Sequence, residues 1–168
     1  MQTFLPLPDF FASASVLDRQ RLGKQRVETM QLLRLVTTPK ELLKGWKNHP
    51  ARRMWCGFPE ALSFYGVVMV RRWLSLGYRD TCREKILSML DEQGYTGSEE
   101  KLEERYNAAL TGADRIFLPP WFGDENFHRS HRSNLLRKDP GWYGRFGWME
   151  PDDLPYEWPD GGYAGEPE

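Results

Sequence analysis

At 168 residues, 40% of them hydrophobic, the chain suffices for one cored domain and is short for two. Its two cysteines, Cys56 and Cys82, have no Cys neighbour at metal-ligand spacing, which leaves a zinc ribbon or a disulfide framework without support. The net charge of -1 hides an asymmetry, because seven acids and no Lys or Arg lie beyond Met149, so residues 1–149 carry +6. A basic body fits a polyanion partner and fits an ordinary solvated surface as well.

Met1-Gln2-Thr3-Phe4 lacks a basic segment followed by an apolar run, so no secretory signal is read and a cytoplasmic location is expected. After Pro6 and Pro8, Leu17, Val27, Met30 and Leu33 recur at helical spacing and predict one helix over Ala14 to Val36. Thr38-Pro39-Lys40-Glu41 reads as a helix start that Gly45 soon closes. Pro59 opens a strongly apolar helix to about Leu76, too short and too interrupted by Arg71 and Arg72 to span a bilayer. Thr81-Cys82-Arg83-Glu84 is a capping box leading a helix toward Gln93, which Gly94 ends. Residues 99–110 are helix-compatible, Pro119-Pro120 breaks the chain, and Asn126 to Lys138 predicts a last helix. The Pro-, Gly- and acid-rich stretch from Pro151 is expected to be a disordered tail outside a helical domain over 1–148. The alternating strands of a parallel sheet are missing, so the expected class is all-α, a single compact helical domain.

Four groups of residues are candidates for chemistry. Along Asp18-Arg19-Gln20-Arg21-Leu22-Gly23-Lys24-Gln25-Arg26-Val27-Glu28, four cations surround one later carboxylate. They read either as an exposed ladder, worth about 0.2 to 0.5 kcal/mol per pair, or as phosphate-holding cations with Glu28 turned to a reacting sugar. Ser130 to Trp148 interleaves cations, among them His131 and Arg132, with aromatics that either stack on bases or close the core. His49, His128 and His131 invite a metal reading, but a spacing of three with a remote third ligand is weak support, and no metal or cofactor is expected. Asn48 to Trp55, with His49 and Arg53, either lines the same cleft or is an ordinary loop.

Arg26-Val27-Glu28, Arg71 to Tyr78 and Lys138-Asp139-Pro140-Gly141-Trp142-Tyr143, in that order and spacing, resemble the pyrimidine-dimer DNA glycosylase family, the phage-type endonuclease V. Thr3-Phe4-Leu5-Pro6, Leu22 to Glu28 and Asn48-His49-Pro50 look closer to its bacterial branch. The resemblance covers most of residues 1–148 and implies an all-α enzyme that binds duplex DNA at a cyclobutane pyrimidine dimer, or a related damaged pyrimidine, bends it and displaces a base opposite the lesion. It would cleave the N-glycosidic bond and nick by β-elimination. It also implies that the nucleophile is the first residue's α-amine, here on Met1 because bulky Gln2 blocks removal of the initiator, and that the essential carboxylate is Glu28. An α-amine has an ordinary pKa near 7.7 to 8.0, which suits it to attack near neutral pH.

The chain departs from the family at Val27, where the family carries an Arg. Arg26, one residue earlier, points elsewhere because a helix turns by about 100° per residue. Arg21, Lys24, Arg26, His49, Arg53, His131, Arg132, Lys138, Trp142 and Tyr143 are the candidate DNA contacts of an expected monomer. The alternatives are a non-catalytic DNA-binding module and a metal-dependent nuclease.

Overall fold

Proline and aspartate punctuate a chain whose regular elements, in the computed structural model describing residues 1–162, are all helical among those residues. The helices are α1 (Phe10–Val16), α2 (Arg19–Thr37), α3 (Pro50–Trp55), α4 (Pro59–Ser75), α5 (Arg83–Glu92), α6 (Glu99–Leu110), α7 (Glu125–Lys138) and α8 (Pro140–Tyr143). Short 3-10 turns follow at Lys40–Leu42 and Gly144–Phe146. This is the all-α architecture expected from the sequence. No helix among the described residues is long and apolar enough to cross a membrane.

The core is built around α4. Its residues Ala61 to Val70 are all buried, as a helix apolar on every side must be. Helix α2 crosses it at Gly66, where a Cβ would stand 2.4 Å from Thr29 Cγ2 and 3.1 Å from Ile86 Cδ1 of α5. Only a residue without a side chain lets three helices approach this closely.

Three expectations about the helices and their starts are corrected. The single helix over Ala14 to Val36 is two, because Leu17 is extended (ψ 136°) and Asp18 caps α2, its carboxylate accepting from the N–H groups of Gln20 and Arg21. A carboxylate that satisfies two orphan donors outweighs continued helical periodicity. The capping work assigned to Thr81 falls on Asp80, whose carboxylate accepts from Cys82 N–H at 3.0 Å and Arg83 N–H at 2.8 Å. Between the two readings of Asn48 to Trp55, the loop gives way to α3, capped by His49 Nδ1 accepting from Ala51 N–H at 3.1 Å.

The expectation of a disordered tail does not describe residues 150–161, which run along α7. Leu154 N–H donates to Ser133 Oγ at 3.0 Å, Asn134 Nδ2 donates to Leu154 O at 3.0 Å, and Glu157 N–H donates to Ser130 Oγ at 3.1 Å. The stretch ends on α3, where Gly161 N–H donates to Arg53 O at 3.1 Å. A Cβ at Gly161 would meet Cys56 O at 2.8 Å and Met54 O at 2.9 Å, so this seat requires glycine. Residues 163–168 of the tail lie outside the described residues.

Candidate active site

The N-terminal segment reaches the site without belonging to any sheet, so side chains must satisfy its backbone. Gln2 N–H donates to Glu28 Oε2 at 3.3 Å and Phe4 N–H donates to Gln25 Oε1 at 3.0 Å, both acceptors on α2. The Leu5 peptide is gripped by two histidines of α7: its N–H donates to His131 Nδ1 at 3.0 Å and its C=O accepts from His128 Nδ1 at 2.8 Å. Pro6 O accepts from Arg132 at 2.8 Å, and Thr3 Oγ1 accepts from Trp55 Nε1 at 2.9 Å. Residues 2 to 6 are thereby fixed against α2, α3 and α7, and the terminal amine is carried to a defined place.

That place is a cavity of about 310 Å³ lined by Met1, Gln2, Phe4, Gln20, Arg21, Lys24, Gln25, Glu28, Lys138, Tyr156 and Trp158. It adjoins a larger groove of about 830 Å³ along the exposed side of α2, bounded by Trp73 on one flank and Trp142 on the other. Gln20, Lys24 and Glu28 line both. Glu28 accepts from Gln2 N–H and, at 3.3 Å, from Gln25 Nε2. The Met1 ammonium lies close enough to His49 that, after burial, its charge is the second cause holding that imidazole below its ordinary pKa. His49 also spans Trp46, with ring centroids 5.1 Å apart, and Trp158, at 6.0 Å.

The candidate residues divide by placement. Met1, Glu28, Arg21, Lys24 and Lys138 meet at the cavity, and Trp142 borders the groove under the Arg145 guanidinium, 3.6 Å above its ring. Lys24 and Lys138 are exposed and form no ion pair among the described residues. Arg21 is paired with Asp18 at 3.0 Å; burial opposes charge on Asp18, but hydrogen bonds from Tyr143 and Arg21 bring its carboxyl below the ordinary range.

The others are built into the scaffold. Arg26 pairs with Asp80 and lies 4.3 Å above the Trp73 ring, turned from the cavity by the helical rotation expected for its position. Arg132 is 8% exposed and pairs with Glu125 and, at 2.7 Å, with Glu150. Tyr143 is buried and its hydroxyl donates to Asp18. Arg53 is exposed on α3, where its carbonyl receives Gly161. His131 is fully buried, and burial, then the neighbouring His128, pushes its pKa down to about 3. His128 Nε2 accepts from Gly123 N–H at 3.1 Å, so both its ring nitrogens are engaged by backbone.

Sequence reasoning passed over Gln2, Gln25, Tyr156 and Trp158. The aromatics carried a readable signal, since disordered segments are poor in them. Gln25 carried none, because a glutamine on a basic helix face is indistinguishable from a solvated one.

No curated protein and no solved structure matches the chain. Residues 1–86 match the family model described as pyrimidine dimer DNA glycosylase. That span holds the N-terminal segment, α2 with Glu28, and the core helix α4, and this chain belongs to the pyrimidine dimer DNA glycosylase family.

Proposed function

We propose that the protein is a DNA-repair glycosylase with lyase activity, acting through the Met1 amine on damaged pyrimidines, cyclobutane dimers among them, in duplex DNA. The observation that carries this reading is the convergence of the terminal residue and Glu28 in one cavity, with Arg21, Lys24 and Lys138, beside an aromatic-flanked groove. The neutral amine attacks the sugar C1′, a C1′–N bond forms, and the glycosidic bond breaks with its electron pair leaving on the base, which takes up a proton. Glu28 stabilises the positive charge that develops on the sugar. Ring opening gives the imine; the C2′ proton then passes to a base, for which Glu28 is the nearby carboxylate, and the C3′–O bond breaks to release the 3′ phosphate. Each step balances without metal or external oxidant.

Lys24 and Lys138 are the phosphate contacts of this reading, with Arg21 oriented by Asp18 beside them. Trp142 stands at the groove edge as a surface against an unstacked base. The role of phosphate clamp does not extend to Arg26, whose guanidinium is committed to Asp80 and Trp73. The test is nicking of ultraviolet-irradiated duplex DNA in the presence of excess chelator. Nicking that persists supports amine chemistry, and nicking that vanishes favours a metal-dependent nuclease.

A further inference from the structure

Between α2 and α3 the chain forms an exposed loop that takes no part in the chemistry described above. Trp46 in this loop is the one non-glycine residue with a positive φ among the described residues, at 61°, and it is 60% exposed. A bulky residue enters the left-handed region against its steric preference, and such conformations gather at functional sites. Gly45, next to it, would take that conformation freely and does not.

The loop is held from inside the protein. Buried Arg52 of α3 donates through Nε to Leu35 O at 3.0 Å and through Nη1 to Lys47 O at 3.4 Å, and His49 N–H donates to Trp46 O at 3.0 Å. These bonds fix both ends of the loop, while Leu42, 71% exposed, and Trp46 stand out in solvent. An apolar ring set outward on an anchored backbone loses little freedom when a partner covers it.

Two further features indicate which partner. Lys44 and Lys47 lie on either side of Trp46 in the chain, are exposed and form no ion pair among the described residues; with Lys40 they outnumber Glu41, the one acid of the loop. A run of rings also joins the loop to the cavity: Trp46 to His49 at 5.1 Å, then His49 to Trp158 at 6.0 Å, with Trp158 lining the cavity beside Met1. A ring set between unpaired cations fits a polyanion that carries flat groups. An acidic protein surface would engage the lysines but has no reason to lie along the path to Met1.

We propose that the loop over residues 38–48 is a further DNA contact, outside the cavity and the groove, in which Trp46 wedges against a base step flanking the lesion while Lys44 and Lys47 hold the neighbouring phosphates. The inference rests on the function proposed above and adds a grip on the duplex beside the damaged site. Apolar wedges of this kind partly unstack a step and kink the duplex. Every base offers a π face to the indole, so the contact reads deformability and not sequence.

The experiment uses the full chain and duplexes carrying a thymine dimer, with 2-aminopurine placed in turn at the flanking positions. Wild type is expected to bind, followed by anisotropy, and to change 2-aminopurine fluorescence at a flanking position. Trp46→Gly removes the ring together with the strain, so it is expected to weaken binding about tenfold and abolish the fluorescence change without lowering the urea midpoint. Trp46→Phe is expected to restore most of the binding. Lys44→Ala and Lys47→Ala are each expected to reduce the slope of log binding constant against log salt by about 1, and Trp46→Gly to leave it alone. Wild-type binding and fluorescence in Trp46→Gly would overturn the wedge and turn the loop toward a protein partner. A loss of binding that comes with a lower urea midpoint and persists in Trp46→Phe would reduce Trp46 to scaffolding and overturn it too. No duplex binding by wild type would instead bring down the function proposed above, and this inference with it.

Discussion

Gln2 N–H donates to Glu28 Oε2 at 3.3 Å, so the residue that follows the terminal amine is tied to the one carboxylate that lines both cavity and groove. The tie gives the carboxylate a fixed place beside Arg21, Lys24 and Lys138 at the cavity. Glu28→Gln retains an oxygen to accept from Gln2 but removes the charge. Base release is expected to fall about 10²- to 10⁴-fold, while duplex binding, followed by anisotropy, stays within a few-fold. Turnover equal to wild type would take Glu28 out of the mechanism.

Lys24 and Lys138 line the cavity and form no ion pair among the described residues, whereas Arg26 is engaged by Asp80 and Trp73. Lys24→Ala and Lys138→Ala are each expected to reduce the slope of log binding constant against log salt by about 1. Arg26→Ala is expected to leave that slope alone and to destabilise the fold by on the order of 3 kcal/mol, because Asp80 is then buried without its partner. A slope change in the Arg26 variant matching that of Lys24→Ala would place its guanidinium on DNA after all.

Gly66 sets the distance between α2 and α4, and through it the position of Glu28. Gly66→Ala is expected to cost about 1 to 3 kcal/mol, since Thr29 sits 2.4 Å from the new Cβ and must be displaced. The measurement is a lower urea midpoint with an unchanged slope. An unchanged midpoint would mean that the two helices separate freely at this crossing.

The helical class, and the sharing of one cavity by Lys24 and Glu28, were legible because apolar period and charge spacing report directly on helix faces. The break at Leu17-Asp18 was not, since apolar residues continue at helical spacing across it and only the Asp18 carboxylate's own hydrogen bonds end α1 and start α2. The order of residues 150–161 was not legible because composition describes what a segment buries by itself. Here Ser130, Ser133 and Asn134 on another element satisfy its backbone. The same non-local logic hides Gln25, whose value lies in reaching Phe4 N–H, Tyr65 and Glu28 at once.

His131 gives the fold a pH dependence of defined sign. In the unfolded chain a histidine protonates near pH 6.5, whereas folding pushes His131 down to about 3, with burial the main cause. Burial lowers His128 too. The neutral form is the folded one, so this stability is full above about pH 6.5 and is lost as pH falls toward 3, at up to about 1.4 kcal/mol per pH unit for one proton. Urea unfolding between pH 4 and 7 measures it. A flat profile would show that losing the Nδ1 acceptor for Leu5 N–H on protonation costs the fold nothing.

The central claim is that the Met1 amine is the nucleophile. Borohydride reduction during incubation with ultraviolet-irradiated duplex DNA, followed by peptide mapping in a mass spectrometer, tests it directly. The account predicts a covalent sugar adduct on the α-nitrogen of Met1. An adduct on a lysine side chain such as Lys24, or none with either irradiated or abasic duplex, would contradict it.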